Sequence, residues 1–187
     1  MNKIKTNFIC AFLILISIYF IVYLYNDWKK NELSENDVEY FESELKNINK
    51  TTIGGKHPSK IVYFNINNSN LTFRILGIPF EIIENKKMVS EIKPDKTFRI
   101  GINKNYSEKT KDNLKNKILN QFIDDRINPN ICYLKNSDVE IISISEYNEL
   151  DKIRRKNNFW LGTLILSLVI IINSVLIFLN YKKAEKI

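Results

Sequence analysis

The residues best suited to bind a ligand lie in a short basic loop that contains the only histidine of the chain. Residues 54–60 have the sequence Gly-Gly-Lys-His-Pro-Ser-Lys. Backbone amides beside the two glycines, together with Lys56, His57 and Lys60, could surround a phosphate or a lipid headgroup. The order does not match a Walker loop, which ends in adjacent Gly, Lys and Ser or Thr. The loop therefore predicts either an anion-binding site at these three side chains or a flexible connection without a ligand.

Other catalytic or metal-binding patterns are missing from the sequence. A transition-metal site needs several His or Cys ligands, whereas the region between the apolar ends offers one of each, His57 and Cys132. Asp124 and Asp125 are adjacent, so their side chains are expected to point apart at a helix end rather than to act as an acid and base pair. The sequence predicts no metal, no cofactor and no catalytic group.

Small and polar side chains inside two apolar stretches predict contact between helices. Thr163, Ser167 and Ser174 fall on one helical face, with Gly162 and Asn173 beside it, and the first stretch offers Ser17 and other small residues. An amide in hydrocarbon needs a hydrogen-bond partner. Packing of the two helices as a hairpin, contact with a second copy or another protein, and a transport role remain alternatives.

The two apolar stretches cover residues 6–26 and 157–181 and carry no charged side chain. A bilayer core about 30 Å thick requires about 20 apolar residues in a helix, and both stretches reach that length. Bulky Tyr23 and Tyr25 stand where a signal peptidase needs small residues, so a retained anchor is predicted. The predicted domain plan is a tail (1–7), a transmembrane helix (8–28), a folded domain (29–158), a second transmembrane helix (159–181) and a tail (182–187).

Charge near the apolar stretches determines the expected orientation. The net charge is +7, and five of the 28 Lys and Arg residues lie in the tails against one of the 21 acids. Basic residues on the two sides of the spans nearly balance, so the basic N-terminus decides, and we expect cytoplasmic tails and an extracytoplasmic domain. No basic stripe with interleaved aromatic residues is present, so nucleic-acid binding is not expected.

The central region is predicted to be an α+β domain with a mainly antiparallel sheet, either open or curled into a partly closed barrel. Short β-branched and aromatic runs predict strands at residues 61–66, 71–76, 80–84, 88–93, 97–103, 131–134 and 139–144. The connections between the first five runs are short and rich in Asn, Asp, Gly and Pro, which favours antiparallel pairing.

Three further segments are predicted to be helical. Ser34 and Asp37 have the spacing of a capping box, and apolar residues at helical spacing follow; a first strand is the alternative, because residues 38–41 are rich in β-formers. A helix over residues 107–124 would cover the sheet with its apolar stripe. Ser145 is expected to cap a charged helix that continues into the second apolar stretch.

Two weak local motifs accompany this architecture. Residues 92–98 contain a Lys-Pro-Asp turn between two β-like runs, and Ser145 and Tyr147 lead the juxtamembrane helix. With these features the chain resembles a loose group of uncharacterised bacterial two-pass membrane proteins that carry a β-rich domain between terminal spans. The abundance of Ile, Asn and Lys, which indicates AT-rich coding, agrees with a bacterial source. The resemblance implies no known activity.

These features predict a non-catalytic integral membrane protein. Its β-rich domain would lie at the membrane surface and bind a protein partner or a second copy of itself, as a component of an envelope complex or as a toxin-immunity protein. Membrane lipids are the other expected partner. The alternative hypothesis is a module that binds lipid headgroups or phosphate, or an enzyme, and that uses the basic loop at residues 54–60.

Overall fold

The fold was analysed in a computed structural model that describes residues 3–53, 59–67, 72–94, 96–105, 128–137 and 139–184. The described residues form three α-helices and one six-stranded sheet. The chain divides into two compact units, which we call the helix pair (Met1–Asn31 and Lys152–Ile187) and the sheet domain (Glu32–Asp151). The fold class is therefore α+β, with long apolar helices before and after the sheet, as predicted.

The described part of the chain begins and ends with a long helix, and the strands and one short α-helix lie between them. The helices are α1 (Lys3–Trp28), α2 (Ile78–Asn85) and α3 (Ile144–Ala184). The strands are β1 (Val38–Ile53), β2 (Ser59–Ile66), β3 (Thr72–Ile75), β4 (Thr97–Asn103), β5 (Ile131–Asn136) and β6 (Val139–Ile142). Their order across the sheet is β3-β2-β1-β4-β5-β6, and every neighbouring pair is antiparallel.

Strand β1 is bent where it passes from one partner to the other. Residues 38–44 pair with β4, residues 45–53 pair with β2, and the register shifts between Lys46 and Asn49. Asn47 lies inside this bulge at φ 50°, a left-handed conformation that Asn tolerates better than most residues. A bulge bends the strand and increases its twist, so the sheet is curled rather than flat.

The curl brings β3 to the residues that precede β5. The Arg74 backbone N–H donates to the Pro129 carbonyl at 3.1 Å. The Asn130 side chain accepts from the Leu76 N–H and donates to the Leu76 carbonyl, both at 3.0 Å. These bonds satisfy backbone groups at the edge of β3, which would otherwise be open to another strand.

A single apolar core fills the concave side of the sheet and is covered by α2. Phe64 stacks on Phe73 with ring centroids 5.6 Å apart, and both rings are fully buried. Ile78, Ile82 and Ile83 of α2 are buried against the same cluster. Burial of one such side chain contributes about 1.5–3 kcal/mol relative to exposure in water. The strands contribute the other fully buried side chains of this core: Leu45, Val62, Ile75, Phe98, Ile100, Ile102, Ile131, Leu134, Ile141 and Ile142.

Three predicted elements have a different secondary structure. The helix predicted after Ser34 is wrong, because residues 38–53 form β1 with hydrogen-bonded neighbours on both sides. The strand predicted at residues 80–84 is α2, which begins after Gly77 at φ 68° and has a proline in its first turn. The strand predicted at residues 88–93 contains a short 3₁₀ helix, Val89–Glu91.

Two helix caps that the sequence predicts are found in a different form or at a different residue. Ser34 and Asp37 do form a capping box, but on a three-residue 3₁₀ helix, Glu35–Asp37. Ser143, not Ser145, caps α3: its Oγ accepts from the Glu146 N–H at 3.1 Å, and its own N–H donates to Glu146 Oε2 at 3.2 Å. Strands β2 to β6 confirm the five remaining strand predictions. The predicted helix at residues 107–124, like Asp125, lies outside the described residues.

Gly101 provides the space in which two tyrosine side chains meet on the outer face of the sheet. Its Cα partners are Tyr40 on β1 and Tyr133 on β5, whose rings form a T-shaped pair with centroids 5.4 Å apart. A Cβ at residue 101 would lie 2.7 Å from both Tyr133 Cβ and Val38 Cγ1. Any side chain there would therefore force β1 and β5 to shift.

We expect Gly101→Ala to lower the free energy of unfolding of the sheet domain by about 1–3 kcal/mol, the usual cost of overpacking. Thermal unfolding of the full-length chain in detergent, followed by circular dichroism, measures the loss. Ser90→Ala, at an exposed position, is the control and should change stability by less than about 0.5 kcal/mol. Equal melting temperatures for the two variants would contradict the close packing described at Gly101.

Candidate functional site

The helix pair is joined along a seam in which buried and half-buried positions recur every three or four residues. Such spacing is typical of left-handed helix packing. Contacts between the start of α1 and the end of α3, and between the end of α1 and the middle of α3, make the two helices antiparallel. The seam positions are 7, 10, 14, 17, 21, 24 and 28 on α1, and 155, 159, 162, 166, 169, 173, 177 and 180 on α3.

Three contacts along the seam define the register of the helix pair. Asn180 Nδ2 donates to Asn7 Oδ1 at 2.9 Å. A Cβ at Gly162 would lie 2.5 Å from Leu24 Cδ1, so α3 approaches α1 closely because this position is glycine. Trp28 stacks on Phe159 with centroids 4.9 Å apart. The amide pair was not recognised from the sequence, although the seam spacing could have indicated it.

The predicted small and polar positions are distributed between the seam and the outer surface. Ser17 and Asn173 are 3% and 7% exposed, and Gly162 faces Leu24. Ser17 Oγ donates to the Leu13 carbonyl at 2.9 Å, and Asn173 Nδ2 donates to the Val169 carbonyl at 2.8 Å, so each uses its own helix.

The other three positions lie further from the centre of the seam. Thr163 and Ser167 are half-buried, and Ser174 is exposed with its hydroxyl bonded to the Ile170 carbonyl at 2.8 Å. A serine that bonds its own helix in this way needs no partner from another chain. A role of the six predicted residues in contact between helices stays a prediction.

Arg155 caps the C-terminus of α1 from the other helix. Its Nη1 donates to the Asp27 carbonyl at 3.0 Å and to the Lys30 carbonyl at 2.7 Å, and the side chain is 7% exposed. Carbonyls at a helix C-terminus lack intrahelical partners and carry negative partial charge, so a guanidinium there satisfies both needs. The sequence showed Arg155 only as one of several basic residues beside a span.

Of the three predicted anion-binding residues of the basic loop, the structure describes only Lys60. Lys56 and His57 lie outside the described residues. Lys60 is the second residue of β2, its side chain is exposed, and its Nζ lies 2.5 Å from Glu84 Oε1. An exposed pair of this kind contributes little to stability. Ligand binding by these three residues stays a prediction.

The sheet domain carries a groove of about 620 Å³, which we call the β6 groove. Met88, Val139 and Ile141 supply apolar surface, and Val139 remains 47% exposed. The polar lining consists of Lys87, Glu91, Lys96, Thr97, Asn136 and Ser137. The volume falls within the usual range for a binding site, whereas a lining with six polar residues out of nine is more polar than that of a typical small-molecule pocket.

The edge of β6 beside this groove is closed to simple strand addition. Lys86 Nζ donates to the Ile141 carbonyl at 3.1 Å and forms an ion pair with Glu146 at 2.7 Å. Partial burial opposes ionisation of Glu146, but Lys86 and the Ser143 donors outweigh it and lower the pKa of the carboxyl. A charged side chain bonded to an edge carbonyl occupies the group that a new strand would use. A strand added at this edge would therefore lack a hydrogen bond to the Ile141 carbonyl.

Conventional reactive groups are not found together in the described part of the chain. No group of three or more His, Cys, Asp or Glu there could hold a metal ion. Cys132 is 2% exposed, its thiol lies 3.5 Å from the Gly101 carbonyl, and burial raises its pKa to about 12. A thiol with such a pKa has negligible thiolate at neutral pH and is a poor nucleophile.

Comparison with known proteins gives no relative for this chain. No protein-family model, curated protein or solved structure matches it. The resemblance to bacterial two-pass proteins therefore stays a prediction, and the argument for function depends on the geometry described above.

We expect a disulfide to form within one chain when Asn7 and Asn180 are both replaced by cysteine in a Cys10→Ala background. The reason is the 2.9 Å contact between the two amides. Membranes that contain the variant are oxidised, and non-reducing gel mobility with peptide mass analysis identifies the bond. Asn7→Cys with Ser174→Cys, which is exposed, is the control and should stay reduced. Crosslinks found only between two chains would overturn the hairpin register.

Proposed function

We propose that this chain is a two-pass membrane protein whose sheet domain lies at the membrane surface and binds a protein partner. One observation carries the membrane part of the proposal. The two candidate spans, Ile4–Trp28 and Ile144–Lys182, are long and apolar enough to cross a bilayer. Each contains an apolar segment of 18 residues, of which only 11% and 6%, respectively, is buried. The core helix of a soluble protein would be mostly buried.

The exposure of large apolar side chains on these helices supports lipid rather than water as their surroundings. Phe8, Leu15, Leu161 and Leu164 are 60–74% exposed, and many neighbouring apolar side chains are about half exposed. Apolar surface in water costs about 25 cal/mol per Å², whereas hydrocarbon removes that cost. The sheet domain, in contrast, buries its own large apolar side chains.

Protein binding is proposed for the sheet domain because its most suitable surface is a groove rather than a reactive site. The β6 groove offers an exposed valine, a buried apolar floor and charged side chains of both signs. Aromatic and Arg side chains, which are enriched at protein interfaces, lie on the outer face, where the Arg99 guanidinium is 4.3 Å from the centroid of the Tyr40 ring. An envelope complex and a toxin-immunity pair are the two settings that we propose.

The tails are proposed to be cytoplasmic and the sheet domain extracytoplasmic. Support comes from the basic N-terminal tail, which often determines the orientation of the first span, and from the tolerance of translocation for long domains. The resident cysteines do not interfere with a test by thiol labelling, because Cys10 and Cys132 are both buried.

We expect a cysteine at the exposed position Ser90 to react with a membrane-impermeant maleimide in intact cells, because the domain would face outward. Lys182→Cys, at an exposed position near the C-terminus of α3, is the matched control and should react only after lysis. Gel shift of the labelled chain measures both. Labelling of Lys182→Cys alone in intact cells would overturn the orientation.

We expect a photo-crosslinking amino acid at Val139 to give a discrete covalent protein product in intact cells, because this side chain is exposed in the β6 groove. Mass spectrometry of the product distinguishes a second copy of the chain from another protein. The same amino acid at Asn49, an exposed residue of β1 outside the groove lining, is the control and should give no such product. If both positions gave the same products, or neither gave any, binding through this groove would be excluded.

A further inference from the structure

One end of the helix pair combines an aromatic cluster with exposed basic side chains. We call it the connecting end and define it as residues 25–31 and 152–161, from which the chain continues into the sheet domain. Trp28 stacks on Phe159, and Tyr25 contacts both rings edge to face at 6.0 Å. Trp160 contacts Phe159 at 5.3 Å and is 58% exposed. Amphipathic aromatic rings of this kind favour the headgroup layer of a bilayer.

The charge at the connecting end is strongly positive. Its residues include six cations and a single carboxylate, Asp27, and every one of these residues is described. Arg155 is buried as the cap of α1. Lys29, Lys30 and Lys156 are exposed and remain available to an external anion.

The aromatic cluster positions part of this charge. Lys29 Nζ lies 4.4 Å from the centroid of the Trp28 ring and 5.9 Å from that of Tyr25. The Lys30 carbonyl is bonded to Arg155, which fixes the backbone from which its side chain extends. Lys29 therefore stands beside rings that are themselves packed between the two helices.

We propose that the connecting end binds the headgroups of anionic phospholipids. The lipid phosphate would contact Lys29, Lys30 and Lys156, while the acyl chains lie against exposed apolar residues such as Leu161, which is 63% exposed. Charge complementarity and the continuity of the basic residues with apolar helix surface identify a lipid rather than a free anion as the occupant. Basic clusters next to membrane helices attract anionic lipids in this way. The inference rests on the proposed function, because it requires that the helices cross a bilayer.

The chain contains an intrinsic probe of this site. Its only two tryptophans, Trp28 and Trp160, both belong to the connecting end. The full-length protein is reconstituted in zwitterionic phosphatidylcholine vesicles that contain phosphatidylglycerol. One lipid at a time carries bromine near the glycerol end of its acyl chains, and quenching of tryptophan fluorescence reports which lipid lies beside the rings.

We expect brominated phosphatidylglycerol to quench more strongly than brominated phosphatidylcholine at equal mole fraction, with an apparent preference of about tenfold at low salt that decreases as salt rises. The triple variant Lys29→Gln, Lys30→Gln, Lys156→Gln should lose most of this preference and still be quenched by both lipids. A control with the same change in charge, Lys46→Gln, Lys50→Gln, Lys93→Gln at exposed positions of the sheet domain, should keep it.

Other outcomes separate this inference from the proposed function. Equal quenching by the two lipids in the wild type would overturn the headgroup site and leave the membrane-spanning helices intact. The absence of quenching by either lipid would overturn both. If millimolar inorganic phosphate at constant ionic strength abolished the preference for phosphatidylglycerol, the site would be one for soluble anions and the lipid assignment would be excluded.

Discussion

Strand β1 is the element on which the sheet domain depends. Among the described strands it alone is hydrogen-bonded to both halves of the sheet, to β4 through residues 38–44 and to β2 through residues 45–53. The bulge with Asn47 at its centre bends this strand, and the bend curls the sheet around one apolar core. Without the curl, Asn130 would not reach Leu76 and the edge of β3 would stay open.

Several polar groups of the helix pair are hydrogen-bonded within it, although the buried Thr163 hydroxyl is not. Ser17 and Asn173 donate to carbonyls of their own helices, and Asn7 and Asn180 bond to each other. Arg155 satisfies two carbonyls at the end of α1. A hydrogen bond that is missing in hydrocarbon costs several kcal/mol, so paired polar groups are compatible with a bilayer where unpaired ones are not. The contacts of Asn7 with Asn180 and of Arg155 with the end of α1 join the two helices and give them a defined register.

The two units suggest different kinds of partner. The sheet domain presents a groove with an exposed valine and closes the β6 edge beside it with Lys86. The connecting end of the helix pair presents aromatic rings and exposed lysines that match a headgroup layer. Protein binding by the first and lipid binding by the second are compatible, because they use different residues.

Several features were determined by the sequence alone. The apolar helices follow from two charge-free stretches of sufficient length, because a bilayer imposes that length on any helix that crosses it. Strands β2 to β6 follow from β-branched runs between turn residues, since alternation and turns are local properties. The antiparallel pairing of β2 with β3 and of β5 with β6 follows from connections that are too short for a crossover.

Other features were decided only by the tertiary structure. Residues 38–53 have apolar spacing that suits a helix, yet hydrogen bonds from β2 and β4 on either side make them a strand. Residues 80–84 are rich in β-formers but form α2, because Gly77 and a proline start a turn of helix that buries Ile82 and Ile83. Contacts such as Arg155 with Asp27, or Asn7 with Asn180, join residues more than 100 positions apart. Helical spacing can indicate that such residues lie on a seam, but it does not identify their partners, because only the folded chain brings the donors and acceptors together.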